Sequence, residues 1–123
     1  MATQTLHAVS KSLDTPDETR NIGTGILELV NLNGLVIGRA TLPPGWQWSK
    51  DVKSIAGTDT CQASHTQYII SGGLVIDMDD GTKMVLNAGD AAIIPPGHDA
   101  YVTGDEPCVL VDFGGMKDYA KQT

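Results

Sequence analysis

Short apolar runs broken by turn residues dominate this chain, and no stretch repeats apolar positions at helical spacing for more than about a turn. Apolar and β-branched residues cluster at 25–30, 35–42, 65–70, 74–78, 83–86, 91–94, 100–103 and 108–113, which predicts strands there. Asn31-Leu32-Asn33-Gly34 and Asp79-Asp80-Gly81 read as hairpin turns, because Asn-Gly and Asp-Gly reach positive φ cheaply. Pro43-Pro44-Gly45 and Gly104-Asp105-Glu106-Pro107 are further breaks. Residues 12–20 are polar and read as a loop or one helical turn opening at Thr15-Pro16, and 116–121 could form a short terminal helix. Strands spaced this evenly predict an all-β sandwich or barrel, of which the jelly roll is one standard form.

The chain has 123 residues, enough for one domain with a real core and too few for two. No internal repeat, linker or low-complexity tract divides it. The expected organisation is an N-terminal arm at 1–24, a β-barrel at 25–115 and a tail at 116–123. With Asp and Glu totalling 15 against 8 Lys and Arg, the net charge is −7, which disfavours nucleic acid and anionic membranes as partners. No apolar run approaches the roughly 20 residues of a membrane helix. Met1-Ala2-Thr3-Gln4 lacks a basic and apolar leader pattern, and the only cysteines are Cys61 and Cys108. The chain is therefore expected to be cytoplasmic.

The segment Gly89-Asp90-Ala91-Ala92-Ile93-Ile94-Pro95-Pro96-Gly97 resembles the second signature motif of the cupins, in which a Gly, five residues and Pro-x-Gly are followed by two residues and then a His. Tyr68-Ile69-Ile70-Ser71-Gly72 is similar to the end of the first motif. The resemblance spans roughly residues 35–113 and implies a cupin fold, a double-stranded β-helix or jelly-roll barrel in one domain. It also implies a small-molecule ligand in the barrel and a homodimer formed through sheet edges.

In that family a metal is held by His-x-His, a Glu and the His of the second motif. Counting back from Gly72 puts the Glu position on His65 and the His-x-His positions on Asp59 and Cys61. The final His position falls on Ala100, while a His stands at His98, directly after Gly97. Counting forward from Gly45 instead reaches Asp51 and Lys53, a poor pair, so 48–57 reads as a longer loop at the barrel mouth.

On a continuous strand residues 59, 61, 65 and 67 share one face. Asp59, Cys61, His65 and His98 are then the candidate metal ligands. A thiolate among them favours a divalent transition metal such as zinc or iron over magnesium or calcium. His98 and Gln67 are the candidate catalytic or substrate-orienting residues, with His98-Asp99 as a conceivable acid/base pair.

Each has a plainer reading: a core histidine for His65, a small buried hydrophobe for Cys61, a turn former for Asp59 and a solvated loop residue for His98. A direct Cys61–His65 bond would require the strand to bend. Trp46 and Trp48, two apart, are expected to wall a pocket or a subunit contact, and Tyr68 to face away from Gln67.

No Gly-x-Ser-x-Gly elbow, phosphate-binding loop or dinucleotide fingerprint is present. Three functions stay open. The first is a metal-dependent enzyme acting on a small polar or carbonyl-containing metabolite. The others are a non-catalytic binding or sensing protein with a decayed metal site, and a metal-free isomerase or lyase using His65 and His98.

Overall fold

The apolar runs become strands that alternate buried and exposed side chains, seen in a computed structural model that describes residues 7–121. The leader reading at 1–4, the first residues of the expected arm and the last two of the expected tail lie outside the described residues. The strands are β1 (Glu18–Ile22), β2 (Gly25–Leu32), β3 (Leu35–Leu42), β4 (His65–Ser71), β5 (Gly73–Met78), β6 (Lys83–Asn87), β7 (Ala91–Ile94), β8 (His98–Thr103) and β9 (Cys108–Phe113). A six-stranded sheet of order β1-β2-β3-β9-β4-β7 faces a three-stranded sheet of order β6-β5-β8. The two inner faces meet in one core that includes Leu27, Ile69, Ile76, Ile94 and Leu110. Fully burying a side chain of this kind contributes about 1.5–3 kcal/mol. The chain is all-β with one core, as the sequence implied.

Three segments differ from the sequence expectation. Within the stretch expected as an arm, Glu18–Ile22 forms β1 and pairs with β2 from Glu18↔Leu29 to Ile22↔Gly25. Its sequence shows no apolar alternation, because Ile22 alone enters the core. The loop expected at the mouth contains two short helical turns, α1 (Trp48–Asp51) and α2 (Lys53–Ala56). They are tied down by Asp99 on β8, whose carboxylate accepts from Ser49 N at 3.0 Å and from Gln47 Nε2 at 3.0 Å. The stretch 116–121 is not a helix but a succession of turns. Arg20 holds it, donating to the carbonyl oxygens of Met116 (3.1 Å), Lys117 (2.8 Å) and Tyr119 (2.7 Å).

The turn chemistry follows the sequence closely. Asn33 (φ 54°) and Gly34 (φ 104°) both take positive φ between β2 and β3, which is what a two-residue hairpin requires. Gly97 takes φ 92°, a left-handed conformation that other residues adopt only under strain. That bend delivers His98 to the first position of β8.

Candidate metal centre

Along β4 the side chains of His65, Gln67 and Ile69 point into the core, and Thr66, Tyr68 and Ile70 point out. Tyr68 therefore faces away from Gln67, as its parity requires. On β8 residues His98, Ala100 and Val102 share the inner face. His98 thus enters the barrel on the same side as Ala100, one pleat away.

Cys61 lies outside any strand, in a single bridge to His98. Cys61 N donates to His98 O at 2.7 Å, and Gly97 N donates to Cys61 O at 2.7 Å. The chain then leaves the extended path before β4, which lets Cys61 Sγ come within 3.7 Å of His65 Nε2. The distance expected for side chains four apart on a strand does not apply, because residues 62–64 are irregular.

The nitrogen and sulfur atoms offered by Cys61, His65 and His98 lie within 4.8 Å of one another, and all three residues are buried. Each imidazole has its Nδ1 engaged. His65 Nδ1 donates to Asp112 Oδ2 at 2.9 Å, and His98 Nδ1 donates to Pro95 O at 2.8 Å. In its neutral form each ring is thereby set in the tautomer that leaves the lone pair on Nε2. Asp112 is fully buried on β9, and its other oxygen accepts from Gly115 N at 2.6 Å.

Electrostatics follow from burial and these bonds. Burial pushes the Cys61 thiol up, but hydrogen bonds from His65 and His98 outweigh it and bring it down to about 6. Burial pushes His65 down, but its bonds to Asp112 and Cys61 outweigh that and raise it to about 9. Burial alone pushes Cys108 up to about 11, the mark of an inert core thiol. Tyr119 is held well above its ordinary value by burial, reinforced by the charges of Cys61, Asp112 and Asp99. Its ring packs edge-on against His65 at 5.5 Å.

Residues 58–114 match the family model described as Cupin domain, a span holding the cluster and both motif-like segments. The chain is a small cupin-superfamily domain. The cupin fold is shared with an uncharacterised protein with a double-stranded β-helix domain from Klebsiella pneumoniae. That protein is 26% identical with TM-score 0.56, over 89% of this chain and 92% of that one. KdgF from Halomonas is similar at 17% identity and TM-score 0.59, over 82% of this cupin and 90% of that chain. A cupin-like protein from Thermotoga maritima is similar at 15% identity and TM-score 0.53, over 77% and 71%. Comparison with curated proteins gives no match.

Three of the four ligands expected in this cupin come together; Asp59 does not. Its side chain is fully exposed and stands 3.7 Å from Lys53 Nζ, because 58–60 is a turn on the surface and not the start of β4. The His98-Asp99 pair also fails, since adjacent residues on β8 face opposite ways and Asp99 is spent on α1. Gln67 is buried on the inner face beside an inner cavity of about 30 Å³, which His65, His98, Trp46 and Trp48 also border. Cys61 borders a separate outer groove of about 200 Å³, and Trp48 and Tyr119 stand between the two spaces.

Sequence reasoning missed Asp112 and Tyr119. Asp112 left a trace: in Cys108-Val109-Leu110-Val111-Asp112 it shares the inward parity of Cys108 and Leu110, an odd place for an unpaired acid. Tyr119 left none, because its position depends on the Arg20 anchor.

Proposed function

We propose that this cupin holds a divalent transition metal, zinc or iron, through Cys61, His65 and His98, and acts as a metal-dependent enzyme on a small polar or carbonyl-containing metabolite. One observation carries the reading. Two histidines with both Nδ1 atoms satisfied and a thiol of lowered pKa bring their ligand atoms within 4.8 Å of one another in a buried cluster. Cysteine and histidine donors suit zinc or iron, and three protein ligands leave a position open for substrate or water. A bound metal of this kind would supply Lewis-acid polarisation of a carbonyl or activation of water.

The chain's own residues have distinct parts. Asp112 fixes the His65 tautomer and orients its ring. His98 serves as ligand only, since its Nδ1 is occupied and one nitrogen remains. Gln67 is the orienting group on the cavity wall, and the apolar wall excludes water.

A non-catalytic binding or sensing cupin is the second reading, and a specific observation favours it. With both histidines taken as ligands and Tyr119 held protonated, the cavity wall keeps no side chain free to move a proton.

Protein purified without a histidine tag and analysed for metals tests the centre. The expected result is near-stoichiometric zinc or iron, lost in Cys61→Ala and His65→Ala and retained in Asp59→Ala. Protein that takes up neither metal on reconstitution would sink the proposal. Both cysteines are free thiols, which suits a reducing compartment such as the cytoplasm. Among the described residues no helix is long and apolar enough to cross a membrane.

The partner is proposed to be a second copy. Tyr68, Ile70 and Ile93 are exposed large apolar residues on β4 and β7, and β7 is a sheet edge with Ile93 76% exposed. An open apolar edge of this kind requires cover.

A further inference from the structure

We propose that Trp48 and Gln67 form a polar subsite, separate from the metal ligands, for the end of a small uncharged ligand carrying both a carbonyl oxygen and an N–H or O–H donor. The inference deepens the reading of the inner cavity as the ligand space and rests on it, but it requires no metal.

Among the described residues, the buried side-chain polar atoms left without a hydrogen-bond partner are Trp48 Nε1 and Gln67 Oε1. Both residues are more than nine-tenths buried, and both border the inner cavity. Leaving a buried polar atom without a partner is costly, and native proteins keep few of them. Trp46, two residues earlier, shows the usual resolution: its Nε1 donates to Ile22 O at 2.8 Å.

The two orphans are complementary in kind. An indole N–H can only donate, and an amide oxygen can only accept. A single group that satisfies both must present an acceptor and a donor, as a primary amide or a hydroxycarbonyl group does.

The surroundings narrow the class further. No Lys, Arg, Asp or Glu borders the cavity, the charge on His65 is already engaged by Asp112 and Cys61, and the remaining wall is mostly aliphatic, so a charged end would meet no free counter-ion there. The cavity of about 30 Å³ admits roughly two water molecules, or a head group of similar size. Met116 and Tyr119 border it from the segment held by Arg20, which closes that side.

Acetamide, acetone and acetate are the probes, matched in size and differing in donor content and charge. Each is titrated by NMR into the chelator-stripped protein and into the zinc-loaded protein. In the stripped protein acetamide is expected to bind about 5–10-fold more tightly than acetone, because only acetamide satisfies Gln67 Oε1. Acetate is expected to bind no better than acetone there.

The isosteric Gln67→Met should abolish the preference for acetamide, and Trp48→Phe should weaken acetamide and acetone alike by a similar factor. Gln67→Met keeps shape and volume, Trp48→Phe removes the N–H together with part of the ring, and dispersion of the NMR spectrum checks that both fold. Equal binding of acetamide and acetone would overturn the proposal, as would no binding to cavity residues, which would mark a water site only. A preference found only with zinc loaded would also overturn it, by assigning the recognition to the metal. If instead the protein takes up no metal but keeps the acetamide preference, the subsite stands and the metal reading falls.

Discussion

Replacing Asp112 with Asn tests the centre at the residue that sequence reasoning passed over. Asn is nearly isosteric, and its oxygen can still accept from Gly115 N, now bonded at 2.6 Å to Asp112 Oδ1. The other half of the group changes from acceptor to donor, and it faces His65 Nδ1 at 2.9 Å. Two N–H groups cannot face each other, so His65 must move its proton to Nε2. That blocks the lone pair now turned toward Cys61 Sγ at 3.7 Å. Loss of such a carboxylate partner typically weakens metal binding about 10–100-fold, or about 1.4–2.8 kcal/mol.

Folding is expected to lose stability as well, because the buried His65 loses its carboxylate partner and must give up its proton. Competition for zinc against a chromophoric chelator measures the affinity, and urea unfolding of the stripped protein measures stability separately. Asp99→Asn is the control, because Asp99 bonds Gln47 and Ser49 and not the cluster. If Asp112→Asn binds zinc within about twofold of the parent, the tautomer argument is refuted.

Four other outcomes follow from the same geometry. In the metal-free protein, between about pH 6 and 9, Cys61 is a thiolate and His65 an imidazolium. Metal binding there must expel about one proton from His65, and calorimetry in buffers of differing ionisation enthalpy should read it. In the metal-free fold the two shifts oppose each other as pH changes. The stabilisation from Cys61, whose pKa is depressed from 9.0, is lost as pH falls toward about 6. That from His65, raised from 6.5, is lost as pH rises toward about 9, so the two nearly cancel and denaturation midpoints should stay nearly flat between about pH 6.5 and 9. Arg20→Met removes three charge-assisted bonds to the 116–121 segment and is expected to cost about 2–4 kcal/mol. Hydrogen exchange should then quicken at Tyr119 and its neighbours; unchanged exchange would mean that Arg20 is no anchor. Ile93→Lys should convert a dimer to a 13.0 kDa monomer in light scattering, whereas a monomeric parent would dismiss the dimer outright.

The parts of the fold legible in the sequence are those where a residue type answers a local demand. Asn33-Gly34 and Gly97 occupy positive φ that other residues adopt only at a cost, so their places stand out without knowledge of anything distant. The inward parity of His65, Gln67 and Ile69 follows from the two-residue period of a strand. Where local signals fail, the cause lies far along the chain. β1 owes its existence to pairing with β2, and its composition shows little of that. The helical turns after Trp48 depend on a carboxylate donated from β8, 50 residues away in the chain. The turns at 116–121 depend on a guanidinium nearly 100 residues earlier, for which sequence has no local marker.

The centre shows why ligand positions are read less well than the scaffold around them. A backbone bend belongs to one residue, but a ligand point belongs to the space, and any side chain that reaches it will serve. His98 and Ala100 share the inner face of β8, so a histidine two positions early can still face the cluster. Cys61 reaches the same point from a lone bridge, held by backbone bonds to Gly97 and His98, and not from the strand that the spacing implied. Asp59, which the spacing favoured equally, is carried outward by the turn before that bridge. Counting positions against a motif therefore tests whether a chain keeps the usual ligands in the usual places. It does not test whether the chain can hold a metal. In this cupin the usual histidine columns are largely replaced, yet two oriented imidazoles and a thiol still converge, and the metal-binding assay on Asp112→Asn addresses that convergence directly.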